Sequence, residues 1–512
     1  MAPCLPDDDI CFSCGRVITG SRGMGSRSKK DFDTSATYGR AQKGLAPTMR
    51  MAELSKRRKK KGKTKNLALV GVIACVFMFT PAQELLFGQF ENVEELISDA
   101  ISPVHYYPVE TTYTVQRTVS LTNLDSGTRS FEYSISIPQD RTTRGYQTGL
   151  YTTQNVPESA DYIQQFTSIS IITDTQVYEL PVSVINNQTD LKPRNEAVSI
   201  STDGVISKIF WPGKGSTDLD KCPYGTCLKW TGSINSNVES KLVVQYDITS
   251  TSYSWWGHDK VDSSVQGKSS GLTAETSGTF NDVKTRAGGQ YWNTFGNNAR
   301  WFDRGNGNYA VDGTNSAVKS AAAEIEAGLP ATASDNVYAY ARGSFEYIRN
   351  HITYARGLAT PRSGPSCLSA GIGDCDEQSN LLMSLLRVKQ IPSWYEFGAL
   401  TGHTFNSWEA HGWSNIMLPF SQEWCTEKGY DTNSCYIVAS VDVTNNMWLL
   451  KPTTAVSTWI EQPGSGQEPI ENFFYRMYYN AQLMMWEETW ETIGTPMSKG
   501  GTFTVREMTE EF

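Results

Sequence analysis

Three short segments of the sequence carry side chains that could together attack a carbonyl group. They supply a thiol at Cys375, an imidazole at His411 and a carboxylate at Asp442. A thiolate is a strong nucleophile, an imidazole can take the thiol proton and pass it to a leaving group, and a carboxylate can hold the imidazole in one tautomer. Many chains contain these residue types in this order, so the local setting of each residue has to support the assignment.

Cys375 is predicted at the first position of a helix. Asp374 is a favourable N-cap, and Glu377 has the spacing of a capping box. Four leucines between 381 and 386 then recur with helical periodicity, and Pro392 follows the run. The N-terminus of a helix favours a thiolate, whereas the aspartates that flank Cys375 disfavour it. The sequence therefore leaves the direction of the thiol pKa shift open, together with the alternative of a buried, inert cysteine.

His411 and Asp442 are predicted to lie on two strands. Residues 408–418 and 436–443 are short apolar runs rich in β-forming residues and bounded by Pro, Asn or Gly. If the strands are neighbours, the imidazole and the carboxylate can face each other across the sheet. The alternatives are an ordinary strand histidine and an aspartate that starts a turn.

Two further aromatic residues belong to this hypothesis. Trp413 lies two residues after His411, which places both side chains on one face of a strand, so Trp413 could form a wall of the site. His403 is the rival imidazole.

The stretch from about residue 308 to 460 resembles the transglutaminase-like superfamily, a branch of the papain-like cysteine enzymes. The resemblance rests on GDCDEQSNLLMSLLRVKQIPSWYEFG at 373–398, HGW at 411–413 and SVDVT at 440–444, and on two predicted helices upstream, at 314–327 and 335–350. It implies an α+β fold, in which a helix that carries the cysteine packs on an antiparallel sheet. It also implies that Cys375 is the nucleophile, His411 the general base and acid, and Asp442 the orienting carboxylate.

One departure from the family pattern is the long separation of His411 and Asp442. The extra residues, 419–434, form an insertion that contains Cys425 and is followed directly by Cys435. A disulfide between these two cysteines could close the insertion. The backbone N–H of Cys375 is the expected first oxyanion donor. Tyr354 is a candidate for the second donor, with a core aromatic residue as the alternative.

The other cysteines suggest an oxidising compartment. Cys222 and Cys227 enclose four residues and could form a second disulfide. Cys367 precedes Cys375 across a Gly-rich loop and could cap the nucleophile as a reversible disulfide, or it could be a buried bystander. No cofactor is expected.

A basic segment followed by an apolar run predicts export. Residues 56–65 contain eight Lys or Arg, and residues 67–79 are apolar throughout. The run is short for a membrane span, so 51–90 is interpreted either as a signal peptide cut after Ala82 or as an uncleaved anchor through 67–87. The residues before 66 would then be cytoplasmic and the rest would lie at the cell surface or outside the cell.

Charge separates the same two parts of the chain. Residues 1–66 have a net charge of +10 and the remainder has −19. An acidic body argues against nucleic acid as a partner and leaves a protein or peptide substrate.

The first fifty residues carry a weak zinc-knuckle signal at Cys11 and Cys14. The run ICFSCGRVI resembles the amino-terminal knuckle of a small RNA polymerase subunit, but the second cysteine pair is missing, so no closed four-ligand zinc site is expected. Residues 1–50 are otherwise predicted to be a disordered basic tail, and translation from Met51 is the alternative.

The remaining regions complete the predicted organisation. Residues 105–255 alternate in short strands and predict a β-sandwich, and the Gly-, Ser- and Asn-rich 256–308 predict a linker. The catalytic domain is expected over 309–470, and 471–512 is expected to form an aromatic helix and a tail. The chain is interpreted as an exported cysteine acyl-transfer enzyme acting on amide or peptide bonds. The alternative is an inactive surface scaffold.

Overall fold

The computed structural model describes most of the chain beyond residue 103. The described residues are 10–11, 16–17, 104–136, 138, 140–142, 145–146, 162–180, 192–211, 227–257, 271–286, 299–303, 309–355, 363–402, 404–433, 435–460 and 484–506. The predicted signal or anchor segment lies outside them. Among the described residues, no helix is both long enough and apolar enough to span a membrane.

Strands dominate the structure. They are β1 Ile10–Cys11, β2 Arg16–Val17, β3 Val104–Asn123, β4 Arg129–Ser136, β5 Arg141–Thr142, β6 Gly145–Tyr146, β7 Tyr162–Ile172, β8 Val177–Glu179, β9 Val198–Thr202, β10 Val205–Phe210, β11 Cys227–Ile234, β12 Glu239–Thr251, β13 Tyr253–Ser254, β14 Arg300–Asp303, β15 Tyr309–Asp312, β16 Thr353–Tyr354, β17 Ile372–Gly373, β18 Ser393–Thr401, β19 Trp408–Pro419, β20 Tyr436–Val441, β21 Leu450–Lys451, β22 Ala455–Ile460 and β23 Met484–Arg506.

The described α-helices cluster between residues 280 and 427. They are α1 Phe280–Thr285, α2 Ser316–Gly328, α3 Val337–His351, α4 Gly364–Ala370, α5 Cys375–Val388 and α6 Gln422–Glu427. Two short 3-10 helices, Arg194–Glu196 and Ala331–Ala333, lie in connections. The helices α2 and α3 match the two helices predicted before the nucleophile.

Two antiparallel sheets form the β-rich region. One has the order β4-β11-β10-β9, and the other has the order β23-β3-β12-β7-β5-β6, with β8 paired to β7. Every second residue of β12 is buried, the pattern of a strand with one face on a core. The buried faces of the two sheets share one apolar cluster, which includes Tyr133, Trp230 and Leu242. The predicted α+β fold class, with a β-rich region before the catalytic core, is confirmed.

The C-terminal segment corrects one prediction. The expected aromatic helix up to Trp490 is wrong for residues 484–490, which begin the long strand β23. This strand pairs antiparallel with β3, from Met484 opposite Asn123 to Arg506 opposite Val104. It is therefore the edge strand of the sheet that contains β3, β12 and β7. Trp490 is buried against that sheet, which explains the apolar residues of the segment. Residues 471–483 lie outside the described part of the chain.

The predicted linker over 256–308 is wrong at 271–286. Leu272 and Val283 are fully buried in the core of the helical region. Thr279 caps α1 in a capping box with Asp282. The polar composition of this segment therefore hid a folded element, which packs beside the sheet that carries His411.

The region that carries Cys375, His411 and Asp442 contains a four-stranded antiparallel sheet, β20-β19-β18-β22, covered by helices. The leucines of α5 are fully buried and join α2, α3 and β19 in one apolar cluster, as the helical periodicity predicted. On its other face the same sheet contributes Trp394, Met417 and Val438 to the core of the β-rich region. The sheet is therefore sandwiched between its helices and the β-rich region.

Candidate active site

Helix α5 starts at Cys375, the predicted nucleophile. The Asp374 carboxylate accepts a hydrogen bond from the N–H of Asp376 at 3.2 Å. In return, Glu377 accepts one from the N–H of Asp374 at 2.6 Å. This reciprocal pair is a capping box, and it fixes the thiol at the helix N-terminus as the sequence predicted.

The sulfur of Cys375 is half-buried between α5 and β19. The thiol donates to Asp376 Oδ1 at 3.5 Å, and the N–H of Gly412 donates to the sulfur. Burial raises the pKa of the thiol well above its ordinary value, and the charges of Asp376 and Asp374 raise it further. The direction that the sequence left open is therefore towards the protonated thiol, first through burial and then through the flanking aspartates.

Gly412 leaves room for the Phe397 ring beside the start of α5. A Cβ atom at this position would come within 2.9 Å of the Phe397 ring, which is too close, and within 3.5 Å of Asp376 Oδ1, which is an ordinary contact. A side chain here would therefore have to displace the Phe397 ring of β18.

His411 and Asp442 meet across neighbouring strands. Strands β19 and β20 pair antiparallel, with Ser414 opposite Val441. His411 Nε2 lies 2.7 Å from Asp442 Oδ2, and both side chains are largely buried. Since the carboxylate accepts, Nε2 carries the proton, and Nδ1 is the ring nitrogen left to take a proton from a nucleophile.

The electrostatics of this pair follow from their contact. Burial on its own would lower the pKa of His411, but the charge and hydrogen bond of Asp442 raise it above its ordinary value. Burial would likewise raise the pKa of Asp442, but His411 and the hydrogen bonds around the carboxylate lower it. The pair therefore favours an imidazolium held by a carboxylate.

Thr444 and Asn445, which the sequence reasoning did not assign, hold the carboxylate in place. The Thr444 hydroxyl and N–H donate to Asp442 Oδ1 at 2.7 and 3.1 Å. The Asn445 amide donates to Asp442 Oδ2 at 2.7 Å, and its nitrogen is 3.2 Å from His411 Nε2. The signal was present in the sequence, because an aspartate that starts a turn presents its carboxylate to the next backbone N–H groups.

Trp413 lies beside the imidazole, where the sequence predicted a wall. Its ring stacks on that of His411 with centroids 5.6 Å apart and an interplanar angle of 26°. Trp413 and Asp442 also line a small cavity together with Leu450 and Lys451. The role of Trp413 in catalysis stays a prediction.

Tyr354 is close to the nucleophile along the backbone. The short strand β16 pairs parallel with β17, and this places Tyr354 opposite Gly373. The N–H of Ala355 bonds to the carbonyl of Gly373 at 3.1 Å. The proposed oxyanion role of the tyrosine hydroxyl stays a prediction.

The cysteine predictions have different outcomes. Cys425 and Cys435 form the predicted disulfide, with Cα atoms 6.2 Å apart. It closes the insertion that contains α6, while β19 and β20 pair on either side of that insertion undisturbed. Cys367 is fully buried on α4, and it and Cys375 are thiols rather than the two halves of a disulfide.

Several predicted residues fall on undescribed parts of the structure. His403, Cys14 and Cys222 lie outside the described residues, as do the side chains of Cys11 and Cys227. The rival imidazole, the second disulfide and the zinc knuckle therefore stay predictions.

Among the residues that the structure describes, the start of α5 is the one place where a metal could be considered. Of the described residues, Asp374, Cys375 and Asp376 have potential ligand atoms within 4.8 Å of one another. Asp374 already accepts in the helix cap, and Asp376 accepts from the thiol. These contacts account for the cluster without an ion.

Comparison with known proteins agrees with the geometry. Residues 323–427 match the model of the transglutaminase-like superfamily. No sequence of a curated protein matches the chain. A solved structure titled a "putative cysteine protease" from Cytophaga hutchinsonii is 10% identical, covers 80% of this chain and 94% of its own, and has a TM-score of 0.33. A "putative protease" from Parabacteroides distasonis is 9% identical, covers 69% and 71%, and has a TM-score of 0.17. The similarity to these two solved structures is too low to support a statement about mechanism.

Proposed function

Because the chain carries a transglutaminase-like domain, we propose that it is a cysteine acyl-transfer enzyme that acts on amide or peptide bonds through Cys375, His411 and Asp442. One observation carries the proposal. The strand that holds His411, whose imidazole pairs with Asp442, also donates its Gly412 N–H to the sulfur of Cys375. This contact supports a shared site for the thiol, the imidazole and the carboxylate.

The first half-reaction forms a thioester. The thiol proton passes to His411 Nδ1 as the sulfur attacks the carbonyl carbon, and the C=O electron pair moves to oxygen. The N–H of Cys375, in the first turn of α5, is the expected donor to that oxyanion. When the intermediate collapses, the C–N bond breaks and His411 returns its proton to the leaving amine.

The second half-reaction releases the acyl group. Water or a primary amine attacks the thioester, His411 takes a proton from the nucleophile, and Cys375 leaves and regains its proton. Water gives hydrolysis and an amine gives a crosslink. Throughout, Asp442 stabilises the imidazolium, and Thr444 and Asn445 keep the carboxylate aimed at Nε2.

An inactive scaffold is the second candidate function. The observation that favours it is the raised pKa of the Cys375 thiol, which lowers the thiolate fraction at neutral pH. The two functions differ in whether an acyl group ever resides on the sulfur.

A chemical test separates these functions. The wild type should hydrolyse a p-nitrophenyl ester with a burst of p-nitrophenol, whereas Cys375→Ala and His411→Ala should lose the burst. Cys367→Ser and His351→Ala serve as matched controls, since Cys367 is a buried thiol on α4 and His351 an exposed imidazole at the end of α3. A burst that survives in Cys375→Ala would refute the enzyme.

The fate of the acyl group can be measured separately. Incubation with a glutamine-containing protein and a fluorescent primary amine reports crosslinking, and cleavage of the same protein reports hydrolysis. Incorporation of the amine that depends on Cys375 identifies an amine acceptor, and Cys375-dependent fragments identify a protease.

We also propose that the catalytic region is exported. The support is the basic segment and apolar run before residue 80, the acidic body and the Cys425–Cys435 disulfide. A protein or peptide outside the cell would then be the substrate. Mass spectrometry of the native N-terminus distinguishes cleavage after Ala82 from an anchored chain, and a native N-terminus before residue 51 in a cytosolic fraction would contradict export.

A further inference from the structure

A third carboxylate contacts the nucleophile in addition to the triad. Asp376 follows Cys375 in the first turn of α5, and its Oδ1 lies 3.5 Å from the sulfur. The same oxygen lies 3.5 Å from the point where a Cβ on Gly412 would be. Asp376 is therefore wedged between the helix start and the strand of His411, in direct contact with a reacting atom.

This contact competes with the triad for one proton. A thiol has a single proton and can direct it to one acceptor. In the structure that proton points to Asp376 Oδ1, whereas the first half-reaction needs it at His411 Nδ1. An ionised Asp376 thus stabilises the thiol and repels the thiolate that catalysis requires.

The surroundings make Asp376 a group that can change its charge. Burial raises its pKa to about 6, with a further contribution from Asp374, while Cys375 and His411 oppose the shift. On the facing strands, Glu409 and Asp442 also carry negative charge towards His411. Of the described side chains that act on Asp376, only the imidazole of His411 can be positive.

We propose that Asp376 is an electrostatic restraint on the nucleophile, an inference that rests on the proposed function. When ionised, the carboxylate accepts the hydrogen bond of the Cys375 thiol and repels the thiolate, so the sulfur keeps its proton to a higher pH. A neutral side chain at this position would stop repelling the thiolate and could donate a hydrogen bond to it. Cys375 would then lose its proton, to His411 or to solvent, at a lower pH than in the wild type.

The neutral isostere tests this restraint. Asp376→Asn removes the charge and keeps a donor towards the sulfur, so the thiol pKa should fall. A fall of one pKa unit raises the thiolate fraction about tenfold at a pH below both values. The rate of iodoacetamide alkylation of Cys375 at pH 7, followed by peptide mapping, should rise by about that factor, and the alkylation profile should move to lower pH.

Controls separate this effect from a general loss of charge or of fold. Glu423→Gln removes an exposed carboxylate from the first turn of α6 and should leave the alkylation profile unchanged. Asp376→Ser provides a second neutral side chain and should shift the profile in the same direction as Asp376→Asn. Folding is checked by the thermal melt of each variant.

The outcomes distinguish the restraint from the proposed function. If the wild type forms an acyl-enzyme but both Asp376 variants alkylate at the wild-type rate or slower, the restraint is wrong and the enzyme stands. If no acyl-enzyme forms on Cys375 in the wild type or in either variant, the proposed function fails. A higher alkylation rate together with an ester-hydrolysis optimum that moves towards neutral pH supports both.

Discussion

Two buried carboxylate clusters in this protein are built on opposite principles. In the first, fully buried Glu396 on β18 receives hydrogen bonds from every side. Arg141 of the β-rich region pairs with it at 2.7 Å, Asn415 donates at 2.8 Å and Ser440 at 2.6 Å, and Ser457 completes the set. Its negative charge is thereby neutralised and all its neighbours are held in one arrangement.

The second cluster, at the start of α5, places carboxylates side by side. Asp374, Asp376 and Glu377 crowd within one helical turn around the thiol. Burial and the neighbouring Glu377 raise the pKa of Asp374, and burial and Asp374 raise that of Asp376. Like charges held together in a partly dry site destabilise the fold, and such perturbed groups concentrate where chemistry occurs.

The difference assigns distinct roles to the two clusters. The Glu396 cluster joins the β-rich region to the sheet that carries His411, and its member Ser440 lies two residues before Asp442. The cluster therefore supports the site by holding the scaffold. The cluster around Cys375 is expected to lower the stability of the fold and to tune the reactivity of the thiol. Changes in the first cluster should therefore be seen in stability, and changes around the second in activity.

The largest expected effect is on activity. Asp442→Asn keeps the shape of the side chain but no longer stabilises an imidazolium and can favour the wrong tautomer. Ester hydrolysis should fall by about 10⁴-fold, as when the carboxylate of a catalytic triad is replaced by an amide. The melting temperature should change little. A large loss of stability with intact activity per folded molecule would show that Asp442 supports the fold rather than the reaction.

The next effect is on stability. Arg141→Met leaves Glu396 buried without its cation, which should cost about 3–5 kcal/mol in the free energy of unfolding. Arg194→Met is the matched control, because its pair with Glu132 is exposed and is expected to contribute at most about 1 kcal/mol. Urea denaturation measures both. Equal losses in the two variants would show that the buried pair has no special role.

A pH effect is expected near the first cluster. Burial, with a contribution from Arg141, lowers the pKa of fully buried Lys451 to about 7, and Glu396 opposes the shift. In the unfolded chain a lysine stays protonated to about pH 10. The unfolded state therefore binds more protons between pH 7 and 10, so this lysine makes the native state more stable as the pH rises.

Lys451→Met removes that dependence. Relative to the wild type, the variant should be the more stable at pH 7, on the order of 3 kcal/mol, and the difference should shrink towards pH 10. Lys428→Met, on an exposed lysine at the end of α6, should track the wild type at every pH. A stability difference that is independent of pH would contradict a lysine that folds in its neutral form.

The smallest effect sharpens the description of the active site. Asn445→Ala removes one hydrogen bond to the Asp442 carboxylate and leaves those of Thr444. The loss should be about 1 kcal/mol, or five- to tenfold in kcat/KM. An Asn445→Asp variant, which adds a negative charge beside Asp442, should raise the apparent pKa of His411 in the pH–rate profile. A profile identical to that of the wild type would mean that Asn445 does not position the carboxylate.

The sequence predicted best those features that depend on near neighbours. The start of α5 needs only Asp374 and Glu377, so its cap and the position of Cys375 were readable. Strands β19 and β20 were readable from composition, and their pairing places His411 beside Asp442. Thr444 and Asn445 follow the same local logic and could have been assigned from the turn that Asp442 starts.

Features that depend on distant partners were missed. The aromatic segment before Trp490 looks helical in isolation, and it is a strand because β3, from the other end of the chain, pairs with it. Tertiary pairing overrode local pattern there. The ion pair of Arg141 and Glu396 joins residues 255 positions apart, so nothing local marks either residue. Within 271–286, the Thr279 capping box was a local signal concealed by polar composition.

The central claim is that Cys375 carries an acyl group with the help of the His411–Asp442 pair. The most direct measurement is rapid quench of the protein with an activated acetyl ester, followed by intact mass and peptide mapping. The account predicts an acetyl thioester on Cys375 in the wild type and in His351→Ala, and none in His411→Ala within the same interval. An adduct on another residue, or one that forms on Cys375 equally fast without His411, would contradict it.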